Sequence, residues 1–209
     1  MSSTNRLFAV VPAAGHSRRM GRPKLLLPLG EKTVIARLLD VLDRPDIAER
    51  FVVVRPDDQR LRAEVIASGA TVVQPQVAPP DMRTSVSNAL AEIRQRHAPS
   101  AEDGWLLTPA DHPMLEPGIL DRLLQRWSQS DCDILVPTFK KRRGHPVLFR
   151  WTLTDEIATI PPDKGLNWLL QLRNDDVLEV AVDDPSVVTD LDTPSDYEAL
   201  KKRWNNRFA

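Results

Sequence analysis

The run Leu7-Phe8-Ala9-Val10-Val11 limits the possible folds of this chain more than any other stretch. Five consecutive apolar residues without polar alternation suit a strand covered on both faces, as in a parallel sheet, and Pro12 ends it. After an intervening loop, Val34, Ile35, Leu38, Leu39 and Leu42 recur at helical spacing over 33–41, and 51–54 reads as a second buried strand. The alternation continues with a helix over 58–67, a strand over 70–73, a helix over 84–95, a strand over 105–107, a helix over 118–127 and a strand over 133–136. That order predicts an α/β fold with right-handed crossovers in an open sheet of five strands up to this point. Beyond Gly144 the pattern loosens. A strand over 146–149, helices near 153–157 and 166–172, a strand over 177–180 and a last helix from Ser195 are predicted, with Pro161 and Pro162 breaking any single long helix.

The chain has 209 residues, which suits one domain over 1–209, with the irregular region around 138–186 read as an elaboration of it. Lysine and arginine total 28 against 29 acidic residues, so no global field steers the protein toward nucleic acid. Two basic clusters stand out locally, Arg18, Arg19, Arg22 and Lys24 in one and Lys140, Lys141, Arg142 and Arg143 in the other. Cys132 is the single cysteine, which excludes an intramolecular disulfide framework and favours a reducing compartment. The N-terminus from Met1 to Asn5 is polar and the apolar run after it is too short to span a bilayer, so a cytoplasmic protein with no membrane partner is expected.

The run Ala13-Ala14-Gly15-His16-Ser17-Arg18-Arg19-Met20-Gly21-Arg22-Pro23-Lys24 follows the first strand directly. Ligands of open parallel sheets lie beyond the carboxyl ends of the strands, and small residues there let backbone N–H groups approach phosphate oxygens. Arg19 suits a bidentate grip on phosphate and Lys24 supplies a compact charge for the α-phosphate. The loop is neither a P-loop, lacking Gly-Lys-Ser/Thr, nor a Gly-x-Gly-x-x-Gly dinucleotide loop.

Asp111, in Thr108-Pro109-Ala110-Asp111-His112-Pro113, follows the 105–107 strand and is placed to hold Mg²⁺, or else to cap the following helix. In Asp190-Leu191-Asp192-Thr193-Pro194-Ser195-Asp196, Asp190 and Asp192 point the same way if the stretch is extended, and either completes the ion site. Equally, Thr193 or Ser195 caps the last helix with Pro194 as its first residue. In Asp81-Met82-Arg83-Thr84-Ser85, Ser85 offers a hydroxyl at a helix start, although Thr84 or Ser85 also serves as a plain cap. Gly144 in Gly144-His145-Pro146 admits close approach of a ligand, and His145 is either a hydrogen-bonding residue or a satisfied structural histidine.

The first loop, continued by Leu25-Leu26-Leu27-Pro28-Leu29-Gly30, closely resembles the signature of the MobA-like nucleotidyltransferases, within them the molybdopterin cytidylyltransferase branch. The resemblance runs over nearly the whole chain: Asp111-His112-Pro113 is similar to the family's metal-binding Asp-x-Pro, the 190–196 segment to its late Asp-x-Asp-Thr-Pro-x-Asp, and Gly144-His145-Pro146 to its acceptor-side element. It implies a three-layer, doubly wound, mostly parallel sheet of the nucleotide-diphospho-sugar-transferase-like Rossmann type. It also implies that Ala13, Ala14, Gly15, His16, Ser17, Arg18, Arg19, Met20, Gly21, Lys24 and Ser85 form the nucleotide pocket, with Lys24, Arg19 and Asp111 in catalysis and Mg²⁺ on Asp111 with Asp190 or Asp192. Ala-Ala-Gly at 13–15, where guanylyltransferases show Ala-Gly-Gly, leans the nucleotide toward CTP. His112 stands where that branch commonly has glutamine, and Asp81 stands where the family has glycine.

The implied reaction is attack by a terminal phosphate of molybdopterin on the α-phosphorus of CTP, giving the cytosine dinucleotide and pyrophosphate, with a molybdenum hydroxylase as the implied recipient. Transfer to another phosphorylated acceptor, such as a sugar phosphate, is the enzymatic alternative. A nucleotide- or cofactor-binding protein without turnover is the alternative of a different class.

Overall fold

The computed structural model describes residues 5–208; residues 1–4 of the N-terminal stretch and Ala209 lie outside them. The strands of its main sheet lie side by side in the order Val177–Ala181, Ile134–Phe139, Val147–Arg150, Gly104–Leu107, Leu7–Pro12, Glu49–Val53, Thr71–Val73. The strands are β1 (Leu7–Pro12), β4 (Glu49–Val53), β5 (Thr71–Val73), β6 (Gly104–Leu107), β7 (Ile134–Phe139), β9 (Val147–Arg150) and β10 (Val177–Ala181). Strand β8 (Arg142–Arg143) folds back on β7, and β2 (Pro28–Leu29) pairs with β3 (Lys32–Thr33) in a separate small hairpin that the apolar pattern did not reveal. All pairings between β10 and β7 and among β6, β1, β4 and β5 are parallel, whereas β9 runs antiparallel between β6 and β7.

Side chains along β1 alternate between two cores. Leu7, Ala9 and Val11 face one layer, shared with α1 (Val34–Val41), α2 (Gln59–Ala67), α4 (Pro117–Ser128) and α7 (Pro194–Phe208). Phe8 and Val10 face the other, shared with α3 (Met82–His97), α5 (Thr154–Ile157) and α6 (Asn167–Leu172). Helices therefore cover both faces and the architecture is a three-layer α/β fold, with a mostly parallel sheet. None of the described helices is long and apolar enough to cross a membrane.

The chain winds outward from β1 through β4 to β5, then returns along α3 to place β6 on the opposite side of β1. This reversal opens a crevice at the carboxyl ends of β1 and β6, the place where open α/β sheets take ligands. Helix α3 starts two residues before the predicted Thr84, because Asp81 is its cap: the carboxylate accepts the Thr84 N–H at 2.6 Å. Neither Thr84 nor Ser85 performs that role.

Candidate functional site

Strand β1 hands over to the loop under tight backbone control. Ala13 N–H still donates to the Val53 carbonyl at 3.0 Å, and Ala110 N–H donates to the Pro12 carbonyl at 3.2 Å. From residue 14 through 19 the pattern changes, since none of these backbone N–H groups has a hydrogen-bond acceptor among the described residues. The carbonyls of the same stretch are engaged at Gly15 by Arg55 Nη1 (2.9 Å), at Ser17 by the N–H groups of Met20 and Gly21 (3.1 Å each), and at Arg18 by Gly21 N–H (3.3 Å). A loop with half of its acceptors occupied and all of its donors open is a site for an anion. A Cβ added at Gly15 would meet nothing within 4 Å, so the room there is open to a ligand rather than taken by the protein.

Beside this loop, two carboxylates share one ammonium. Lys24 Nζ lies 2.6 Å from Asp111 Oδ2 and 2.9 Å from Asp192 Oδ1, and Arg19 Nη2 lies 2.9 Å from Asp192 Oδ2. Burial works against the charge on Lys24, but Asp111 and Asp192 outweigh it and raise the pKa, so the residue stays cationic. The two acidic loops are stitched together by the Leu191 N–H, which donates to the Asp111 carbonyl at 3.0 Å.

Asp192 is set in turn by the start of α7. Asp196 Oδ2 accepts the N–H groups of Asp192 (3.1 Å) and Thr193 (2.7 Å), while Thr193 Oγ1 accepts the Asp196 N–H at 3.2 Å. This is a reciprocal capping box with Pro194 as the first helical residue. The cap and the placement of Asp192 are thus one device. Hydrogen bonds from Thr193 hold the Asp196 carboxyl below its usual range.

Asp190 departs from the expectation. The stretch around it is not a strand but the irregular exit of a 3-10 turn over Pro185–Val188, so period-two alternation does not apply and the two aspartates diverge. Its Oδ1 lies 2.6 Å from Nε2 of the buried His112, a contact that lowers the Asp190 pKa. The His112 ring meets the His145 ring edge-on at 5.0 Å. Burial first and His112 second push the His145 pKa down to about 4, which leaves it neutral near pH 7.

Most of the other expected residues converge on one cleft of about 490 Å³ at the β1/β6 crevice, walled by the loop from Ala13 to Arg19, Lys24, Asp81, Ser85, Asp111 and Asp192. Ser85 is buried there with its hydroxyl donating to the Asp81 carbonyl at 3.1 Å. Met20 and Gly21 fall outside the cleft: Met20 is buried in the core, and Gly21 makes the turn at φ 69° beside a second cavity. A third cavity of about 440 Å³ adjoins Asp81 and contains His145, Val147, Phe149, Arg83 and Lys164.

Gly144 and Pro146 do not line that third cavity. A Cβ at Gly144 would collide with the Val187 carbonyl, so the missing side chain serves the chain's own packing and not ligand approach. Pro146 is buried beside it. Sequence reasoning missed Arg55, Arg83 and Lys164. The only signal for Arg55 was a cation directly after a buried strand, and nothing marked the other two.

Comparison with known proteins bears on this arrangement. Residues 9–185 match the family described as the MobA-like NTP transferase domain. The chain is 23% identical to the molybdenum cofactor cytidylyltransferase of Escherichia coli K12 over 197 residues, covering 93% of this chain and 95% of that protein. It is 34% identical to a 2-C-methyl-D-erythritol 4-phosphate cytidylyltransferase of Azoarcus over 150 residues, 67% of this chain but 62% of that longer relative. Among solved structures, Rv0371c of Mycobacterium tuberculosis H37Rv superposes with a TM-score of 0.81 at 30% identity, covering 96% of this chain and 99% of that one. A manganese complex of the same mycobacterial protein gives 0.73 at 27% identity over 96% of this chain and 100% of that one. On the match over residues 9–185, the chain belongs to the MobA-like NTP transferase domain family.

Proposed function

We propose that this protein is a nucleotidyltransferase that transfers a cytidylyl group from CTP to a phosphorylated acceptor and releases pyrophosphate, with molybdopterin as the acceptor. The observation that carries the reading is the row of unpaired N–H groups at 14–19 beside the Lys24–Asp111–Asp192 cluster, both at the crevice between β1 and β6. The first feature binds a polyphosphate; the second places a buried cation where charge develops during transfer.

A divalent ion fits the donor set. The point between Asp111 and Asp192 already takes a cation, the Lys24 ammonium, and two hard carboxylate oxygens suit Mg²⁺, although no group of three or more acidic, histidine or cysteine residues is arranged for a metal among the described residues. Asp111 and Asp192 would therefore hold the ion jointly with the bound nucleotide, and the ion would neutralise phosphate charge there. Manganese in the related mycobacterial structure supports a divalent metal of this class. Asp190 is assigned instead to the acceptor side, because its partner His112 packs on His145 of the third cavity.

The chain's own residues divide the remaining work. The 14–19 amides and Arg19 bind the phosphates, Lys24 stabilises the transferring phosphoryl group, and Asp81 and Ser85 wall the base and ribose end. The acceptor's own phosphate is the nucleophile, so positioning rather than proton abstraction dominates. For the acceptor, the cavity beside His145 has apolar walls in Leu107, Val147, Phe149 and Leu170, with Lys164 at its edge and Arg83 Nη1 held on the Ile160 carbonyl, which suits a flat heterocycle bearing phosphate. Near-complete coverage of the molybdenum cofactor enzyme points the same way. A molybdenum hydroxylase in the cytoplasm would be the recipient of the product.

The higher identity to the methylerythritol phosphate enzymes favours a second reading, transfer to a phosphorylated polyol. A matrix of nucleotides against both acceptors, read by product mass, separates the two. CTP with molybdopterin is expected to give the dinucleotide; turnover with methylerythritol phosphate alone would replace the first reading. Tight CTP binding with no product in any combination would make the protein a binder.

A further inference from the structure

We infer that Arg55 is a positioning residue for the phosphate loop, holding the Gly15 carbonyl turned away from the nucleotide cleft so that the neighbouring N–H groups stay directed into it. The inference rests on the proposed phosphate-binding role of residues 13–24. A peptide unit carries its donor and acceptor on opposite sides, so a loop that offers consecutive N–H groups to an anion must turn its carbonyls elsewhere, and a donor met there fixes that orientation. The turn satisfies Ser17 and Arg18 internally. Gly15 has no such neighbour, and its carbonyl accepts from Arg55 Nη1 at 2.9 Å, forty positions away in sequence.

Arg55 approaches from behind. It lines a cavity of about 370 Å³ formed with Gly21, Arg22 and Leu61, and it is absent from the lining of the nucleotide cleft, although the loop residues 15–18 border both. Its guanidinium therefore lies on the side of the loop away from the cleft lining. Two carboxylates occupy the rest of the guanidinium: Nε donates to Asp57 Oδ1 at 3.0 Å and Nη2 to Asp58 Oδ2 at 3.3 Å. The other Asp58 oxygen caps α2 through the Leu61 N–H at 3.1 Å, and the Gln74 amide donates to the Arg55 carbonyl at 2.8 Å. The side chain is 14% exposed. With its charge matched by Asp57 and Asp58, Arg55 adds little field to the cleft; its contribution is geometric. The planar fork holds these three donors in fixed directions on three separate nitrogens, whereas a lysine would have to serve all three acceptors from one nitrogen.

The test compares Arg55→Ala, Arg55→Lys and Arg19→Ala with the unaltered protein, using CTP titration calorimetry with Mg²⁺, steady-state kinetics and thermal melting. Arg55→Ala should weaken CTP binding roughly tenfold while the acceptor KM moves less than about twofold, because only the nucleotide side depends on the tether. Arg55→Lys should recover part of the loss, and it carries the comparison if the alanine variant fails to fold. CTP binding at the unaltered strength in Arg55→Ala, with binding weakened in Arg19→Ala, would overturn the tether and leave the loop's role standing. Equal rises in both KM values, tracking a drop in melting temperature, would overturn it as a merely structural residue. Unchanged binding in all three variants would instead remove the phosphate-loop reading, and the tether with it.

Discussion

The two halves of the crevice are built on opposite terms. On the proposed nucleotide side, polar groups stand unpaired or charge-paired in one short loop and its partners, with Lys24 held between Asp111 and Asp192. On and behind the proposed acceptor side the chain's groups are already engaged with the protein: Asp190 with His112, Arg83 Nη1 with the Ile160 carbonyl at 2.6 Å, and the Gly144 backbone in close packing against Val187. The first half is poised for charge that arrives with a ligand; the second is a preformed, mainly apolar wall. Substitutions on the nucleotide side should therefore alter rate and leave the fold intact, whereas those on the acceptor side should reach the fold first.

The largest expected effects test the nucleotide half. Lys24→Ala should lower kcat by about 10²-fold or more with a smaller change in CTP affinity, since its charge matches the transition state better than the ground state. Because its removal frees two carboxylates, divalent-ion affinity in the absence of CTP should rise, measurable by Mn²⁺ titration. Asp111→Asn and Asp192→Asn should nearly abolish metal-dependent transfer in folded protein, whereas Asp190→Asn should act mainly on the acceptor KM. An Asp190 variant that lost metal dependence would erase the division.

Behind the proposed acceptor half, at Gly144, which lines neither cavity, the readout is stability. Gly144→Ala should cost about 3 kcal/mol or more in chemical denaturation, through the clash with the Val187 carbonyl. Gly15→Ala, with open space beside it, should melt near the unaltered temperature and lose CTP affinity instead. Similar melting for both would blur the contrast.

His145 adds a pH signature. Held down to about 4 in the fold and titrating near 6.5 when unfolded, it makes the unfolded chain the better proton binder between those values. Its share of stability is complete above about pH 6.5 and is lost as pH falls toward 4, amounting to about 3 kcal/mol at most. Denaturation series across that window should slope in the unaltered protein and flatten in His145→Asn. The depressed carboxyls of Asp103 and Asp184 act lower, losing their contributions only as pH drops through the acid range.

The smallest effect concerns the hairpin between β7 and β8. Phe139 pairs with Arg142, so Lys140 and Lys141 form a two-residue turn with φ of 49° and 65°. Such turns favour Asn-Gly, and lysine in this region costs about 1 kcal/mol. Lys141→Gly should raise stability by up to about 1 kcal/mol. CTP binding should not change, and a shift there would tie the basic cluster to the nucleotide half.

What the sequence determined by itself was the alternation of elements, because burial on both faces leaves continuous apolar runs and helix faces repeat with their own period. It also determined the loop after β1, whose small and cationic residues are contiguous, and Asp111, which sits directly behind a strand. Tertiary structure decided the rest. The antiparallel β9 lies between β6 and β7, an order set by long-range pairing that no local pattern records. Which of Asp190 and Asp192 faces Lys24 depended on an irregular backbone exit and on the capping box at Thr193 and Asp196, where a period-two rule has no purchase. The use of Gly144 was decided by the approach of Val187, and the partner of Gly15 by the return of Arg55 from the next strand. In each case the deciding contact joins residues far apart in the chain or depends on a backbone path without a repeating period, so short-range spacing carried no trace of it.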